Sequence, residues 1–488
     1  MRTFKPDLPR LLVVLVLLNL GPGFAATVDN TDSAANRLPE AMVQALRRYR
    51  IPINSVSVFA QEIGHERPIV SVASDVARNP ASVIKLLPTL VALEELGPAY
   101  TWKTEAYATA GIEEENLAGD LYLKGYGDPY FLTEHFWRLL RGLQIGGMTG
   151  IDGDLVLDRS FFGPDIVDPA DFDGQPYRVY NTSASALLLN FHAINFRIEP
   201  DTAASRVRIV ADPQPDHIKI VNRVKLIDGP CRHWNSRLKM RVIHTPHQDT
   251  VHFSGRYAAR CGQRSLFRSI SEPAAYVYGV FKNLWREQGG RFGGQLQERL
   301  LPAEARLLYT AYSRPLAEVI RSTNKYSNNV MSRQLLLTLG AEIYDPPGTL
   351  AKGVQAVHAW LQNKGLHFPE LVLDDGTGLS REVRISAGHL GKLLLAAYRS
   401  PRMPEFVSSL PIAGVDGTLH KRFADSDFAG RLHVKTGTLD NVRAMAGYLL
   451  DAQGRRLVVV YLHNHRSAHL RAGARAEAEF LRWLYNRP

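Results

Sequence analysis

Cysteine is almost missing from this chain, which has two among 488 residues. That excludes a disulfide-rich scaffold and a metal centre built mainly from thiolates. Long apolar runs are scarce too. The most prominent, Leu11 to Leu20, is well short of the ~20 residues a spanning helix needs. No recognisable nucleic-acid-binding motif is present, so nucleic acid is not an expected partner despite a net charge of +10. The histidines match no compact metal-ligand spacing. His233, His244, His247 and His252, like His463, His465 and His469, read as loop histidines, and no metal site is expected.

The first residues have the character of an export signal. Arg2, Lys5 and Arg10 precede the apolar run, and Gly23-Phe24-Ala25 puts small residues where a signal peptidase reads. Cleavage after Ala25 or Ala26 is expected, leaving residues 1–25 as a leader; the alternative is an uncleaved anchor. Loss of the leader's charged residues brings the net charge to about +8. A basic exported protein is drawn to anionic polymers or to a membrane surface, so peripheral membrane association is an expectation. In an oxidising compartment Cys231 and Cys261 are expected to pair, a closure that stabilises by roughly 3 to 4 kcal/mol in the chain-entropy view.

A chain this long exceeds one ordinary core and calls for two or three domains. Pro39 to Tyr49 has helical spacing, and Ser55 to Ala60 and Ile69 to Ala73 read as strands. A helix is predicted from Ser82 towards Leu96, with a kink or a 3₁₀ start because Pro88 removes a backbone donor. Further on, two helices are predicted on either side of Ser327, another over Leu350 to Lys364, and an antiparallel meander from Leu432 to Leu462 before a last helix. Strands at both ends with helices between imply one sheet built from the two termini. The core is therefore assigned to 37–103 and 308–488, an inserted region to 104–200 and 266–307, and a nested β unit with the two cysteines to 201–265. Within the insertion, Gly119-Asp120-Leu121 and Gly153-Asp154-Leu155 look alike, each entering a short strand.

Three short strings then stand out in order: Ser82-Val83-Ile84-Lys85, Ser327-Asn328-Asn329 and Lys435-Thr436-Gly437-Thr438. Cleaving an amide takes a nucleophile, a base, an acid for the leaving amine and donors for the oxyanion. Ser82 and Lys85, three apart, share a helix face and reach each other. Lys85 acts as a base only if burial or a neighbouring cation disfavours its ammonium form, and Lys435 is a candidate for that cation. Each string alone is weak, since Ser-x-x-Lys is commonly an exposed helix pair and Ser-Asn-Asn a turn or cap. Asp128 and Asp375 sit beside glycines and read as Asx turns, with no catalytic role.

The ordered triple is the pattern of penicillin-binding proteins and class A β-lactamases. Longer strings narrow it. Gly125-Tyr126-Gly127-Asp128-Pro129, residues 375–381 (DGTGLSR) and residues 409–418 (SLPIAGVDGT) resemble the D-Ala-D-Ala carboxypeptidase/endopeptidase family, the low-molecular-mass class C penicillin-binding proteins. The resemblance implies an α+β fold: a penicillin-binding, serine β-lactamase-like transpeptidase domain, its antiparallel sheet flanked by helices, with a large, mainly β insertion. It implies a periplasmic serine peptidase acting on peptidoglycan peptides, acylated by β-lactams, with no cofactor. Ser82 would be the nucleophile, Lys85 its base, Ser327 the proton relay, and Asn329 the holder of the substrate amide. Lys435, Thr436 and Thr438 beside Gly437 would receive the terminal carboxylate, and the N–H groups of Ser82 and Thr438 the oxyanion. Arg381 and Leu439 would line a side-chain pocket whose acidic partner falls near Gln175 or Asp173. Asn328 stands where the family often has Asp. The rivals are a β-lactamase, although no class A deacylating Glu motif is found, a cross-linking transpeptidase, and a non-catalytic wall-binding protein.

Overall fold

The computed structural model describes residues 36–164 and 168–488; the expected leader lies outside the described residues. At its centre is a five-stranded antiparallel sheet in the order Leu432–Leu439, Val442–Leu450, Arg456–Asn464, Val56–Glu62, Val70–Val72. Early and late segments of the chain thus meet in one sheet. Its strands are nearly all apolar because both faces are covered. Along Arg456–Asn464, Val458, Val460 and Leu462 point into one core while Leu457, Val459 and Tyr461 point into the other, as the two-residue period of a strand requires. The first core holds the helices Leu86–Glu95, Leu316–Tyr326, Asn329–Tyr344 and Ala387–Arg399; the second is closed by Glu40–Arg48 and Arg471–Tyr485.

The predicted start at Ser82 is a 3₁₀ turn, Ala81–Lys85, passing into the α-helix Leu86–Glu95. Pro88 sits in the first turn of that helix, where its missing donor costs nothing. Among the described residues three helices have no counterpart in the sequence reading, the short Met403–Ser409 and two longer ones. One is Thr133–Ile145; the other is Ala387–Arg399, started by Ser386 accepting from the His389 N–H. Gly388 and Gly391 lower the propensity of the second. Gly391 is there because a side chain would run into the Phe59 ring.

The long excursion between the first two strings carries four further sheets. The two Gly-Asp strings lead into Leu121–Gly125 and Leu155–Asp158, which pair in parallel with Leu121 opposite Leu155, connected through the helix Thr133–Ile145. The Asp120 carboxylate accepts from the Asp154 N–H, so the resemblance reflects neighbouring positions in one sheet. The strand Arg306–Tyr312 pairs with Lys103–Ala108 in that same sheet, so the boundaries set at 103 and 308 cut through paired strands. Ile194–Asp201 likewise lies between Arg206–Asp212 and Arg264–Arg268, carrying the nested unit past its assigned limits of 201 and 265. Short strands bounded by polar turns disclose their partners poorly in sequence, which accounts for the offsets. Cys231 and Cys261 form a disulfide.

No helix among the described residues is long and apolar enough to cross a membrane. Not all the histidines lie on loops. His252 is inside the strand Asp249–Ala258, and His463 is fully buried in the central sheet, where burial, aided by His465, pushes its imidazole down to about 3.

Candidate active site

The 3₁₀ turn Ala81–Lys85 lies against the strand Leu432–Leu439 at Gly437. A Cβ on Gly437 would come within 2.5 Å of the Pro80 carbonyl oxygen and 3.0 Å of the Ser82 nitrogen. The space where a Gly437 side chain would go is therefore filled by the backbone of the turn that carries Ser82. Gly378 serves the same end from the other side, in the left-handed region (φ 71°) and against the Ala81 carbonyl. These two glycines let three segments close around Ser82.

Lys85 is wholly buried. Its Nζ donates to Ser82 Oγ at 3.0 Å, to Asn329 Oδ1 at 2.7 Å, and to the Thr377 carbonyl. Burial pushes its ammonium down; Asp375 pulls it back, Arg333 opposes that, and it comes to rest at about 7. Lys435 is also wholly buried, its Nζ donating to Ser327 Oγ at 2.8 Å and to the Thr436 carbonyl at 2.8 Å. Burial first, and the charge of Lys85 second, hold it well below the ordinary lysine value. The charge of Lys85 thus weighs on Lys435, whereas the cation that weighs on Lys85 is Arg333 rather than the Lys435 suggested by the sequence.

Ser327 is the residue that ends Leu316–Tyr326, in the left-handed conformation (φ 57°) that turns the chain into Asn329–Tyr344. Asn328 caps this second helix, its side chain accepting from the Met331 N–H. Either Asn or Asp makes such a cap, which explains why Asn328 can stand where an Asp is common. Asn329, one residue on, faces Lys85 through its carbonyl and the Tyr180 carbonyl through its amide at 3.5 Å.

Several groups with no signal of their own complete the cleft. Asp375 accepts from the N–H and hydroxyl of Thr377, the expected Asx turn, and also pairs with Arg333 at 2.5 Å. It thereby fixes the Thr377 carbonyl that receives Lys85, a role that single-residue reading missed. Asp128 makes only its turn, accepting from the Tyr130 N–H at 2.7 Å. Lys325 reaches the Leu410 carbonyl and Asp416, while Thr418 touches Thr436 at 3.0 Å. The string at 409–418 is thus tied to both the second and the third motif.

Thr438 is exposed at the end of the strand, with Leu439 half-buried beside it. Arg381 donates to the Asp440 carbonyl at 3.0 Å and lies over the Phe172 ring at 5.1 Å. The acidic candidate is otherwise engaged: Asp173 accepts from Tyr180 at 2.6 Å and Asn181 at 2.9 Å. Gln175 accepts from Arg178. A strap from the insertion, residues 168–182, therefore forms one wall of the cleft.

Residues 39–484 match the model of the D-Ala-D-Ala carboxypeptidase 3 (S13) family, and the chain belongs to that family. It is 28% identical over 406 residues to a D-alanyl-D-alanine carboxypeptidase from an Actinomadura species, covering 79% of this chain and 73% of the relative. It is 23% identical to D-alanyl-D-alanine carboxypeptidase DacB of Haemophilus influenzae, over 89% of this chain and 91% of that one. The crystal structure of penicillin binding protein 4 (dacB) from the same organism superposes with a TM-score of 0.75 at 23% identity, over 91% of this chain and 98% of the other. A penicillin G-acylated predatory endopeptidase from Bdellovibrio bacteriovorus gives 0.51 at 15% identity, over 88% and 93%. The fold is accordingly the α+β penicillin-binding fold.

Proposed function

We propose that the protein is a periplasmic serine-type D-Ala-D-Ala carboxypeptidase and endopeptidase that works through an acyl-enzyme on Ser82. The observation that supports this most directly is a lysine amine with no exposed surface, held 3.0 Å from a serine hydroxyl. Neutral Lys85 takes the Ser82 proton as Oγ attacks the carbonyl of the penultimate D-alanine. The oxyanion is received by the N–H groups of Ser82 and Thr438. Ser327, hydrogen-bonded to Lys435, passes a proton to the departing amine as the C–N bond breaks. Water then attacks the ester, releasing the shortened peptide and restoring the Ser82 hydroxyl. In the endopeptidase reaction the departing amine belongs to a neighbouring stem peptide rather than to free D-alanine.

Lys435, Thr436 and Thr438 hold the substrate's terminal carboxylate. An anion arriving next to Lys435 offsets the burial that disfavours its charge, so binding and protonation of Lys435 favour each other. Arg381 and Leu439 stand at the far end of the strand, where a stem-peptide side chain would run. A β-lactam enters by the same chemistry, its ring amide taking the place of the scissile bond.

The test is labelling of purified protein with a fluorescent penicillin, wild type against Ser82→Ala. Stoichiometric label on the wild type and none on the variant is expected; equal labelling, or none on either, refutes the acyl-enzyme. Mass spectrometry of digested cross-linked muropeptides then separates loss of D-alanine from cutting of cross-links.

A further inference from the structure

A large cavity lies apart from the residues around Ser82. It is a groove of about 1600 Å³ in the inserted region, between the ends of Leu155–Asp158 and Leu296–Glu298, the turn 244–249, and the start of the helix Pro273–Glu287. Pockets that enclose a drug-sized molecule run to roughly 300–1,000 Å³, so this one has room for an oligomer. Its lysine and arginine side chains are each paired with a carboxylate. Lys282 meets Asp216 at 2.8 Å, Arg299 meets Asp120 at 2.6 Å, His244 meets Asp249 at 2.7 Å, and Arg159 meets Glu298. Such a lining has no uncompensated lysine or arginine to hold a polyanion.

What it offers instead is neutral. The rings of Tyr177 and Tyr278 stand half-buried along it, with the hydroxyl of Ser160 and the amides of Gln248 and Gln295. Aromatic faces beside neutral donors and acceptors suit a ligand with C–H faces and hydroxyl or amide edges, which is the chemistry of an N-acetylated amino-sugar chain.

We infer that this groove binds the glycan part of the polymer whose peptides are cut at Ser82, a reading of the ligand that rests on the proposed function. The strap supplies the link. Tyr177 and Thr182 line the groove, while the carbonyls of Tyr180 and Thr182 accept from Asn329 and Arg333 at the cleft. A sugar chain held on one side would keep its stem peptides next to the other.

The experiment titrates full-length protein with an N-acetylglucosamine tetramer and with peptide-free peptidoglycan glycan, by calorimetry and by ligand-observed NMR. Wild type is expected to bind both, and Tyr177→Ala and Tyr278→Ala each to weaken binding about tenfold, the loss of roughly 1.4 kcal/mol that removal of one anchor ring brings. Penicillin acylation should be unchanged in Tyr278→Ala, and the preference for whole wall over soluble peptide should fall in both variants. Absence of glycan binding by wild type, or binding equal in all three proteins, overturns the inference. Either result alongside normal penicillin labelling leaves the peptidase reading standing, which keeps the two failures distinct.

Discussion

Of the nine residues in the central strand Val442–Leu450, eight are buried; of the seven in the nested strand Leu238–His244, none is. The first lies between two helical layers, whereas the second has only a thin core near it. The difference decides what holds each region in shape. Around the catalytic strings, packing density fixes the geometry, so Lys85 and Lys435 keep their amines dry and their distances short. In the nested unit the Cys231–Cys261 bond supplements a core too small to define it alone.

Five variants and a titration can break or sharpen this contrast. The largest effect is expected from Lys85→Ala, which removes the base at the centre of the dense region. Acylation by penicillin should slow by about 10²- to 10⁴-fold, measured by stopped-flow with a chromogenic β-lactam. Next comes Phe480→Ala, a fully buried ring in the second core, which should cost about 4 kcal/mol in urea unfolding. Replacing Cys231 and Cys261 by serine should cost about 3 kcal/mol, seen as faster hydrogen exchange across 218–258, with the penicillin acylation rate unaltered. Were acylation to slow as much as in a core variant, the two regions would not be mechanically separate. Asn328→Ala should destabilise by about 1 kcal/mol through the lost cap and disturb Asn329 with it.

The smallest expected change is a shift in pH dependence. Lys85 rests at about 7 in the folded protein against an ordinary 10.5, so its free amine, and with it acylation, should rise as pH passes upward through about 7. Between those two values the unfolded chain binds a proton that the folded one does not, so this lysine's contribution to stability improves as pH rises across the window. Asp375 favours the charged amine. Asp375→Asn should therefore move the acylation limb to lower pH, and a shift to higher pH would refute the assignment.

Much of the dense region could be read before folding. Pro88 announced the 3₁₀ entry, and alternating apolar residues after Leu432 announced the meander. Ser82, Ser327 and Lys435 drew attention because their chemistry resides in side chains and their order along the chain is informative. The Thr377 carbonyl could not be found that way: a backbone oxygen has no residue identity, and only the Arg333–Asp375 pair, remote in sequence, aims it. The seating of the Ser82 turn on Gly437 was equally hidden, since sequence does not reveal what approaches a missing side chain. In the insertion, Gly119-Asp120 and Gly153-Asp154 suggested a repeat without disclosing that they lie side by side. Ile194–Asp201 gave no sign that its second partner lay past residue 260.

The central sheet also has a bearing on timing. Val56–Glu62 pairs early on one side with Val70–Val72 but on the other side only with Arg456–Asn464, and the turn bearing Ser82 rests on Leu432–Leu439. Ser82 leaves the ribosome early, but Lys435 and the strand against which its turn seats arrive among the last segments made. Until those segments are delivered, Ser82 is an ordinary alcohol, and a partly synthesised chain has no means of carrying out the proposed attack on an amide.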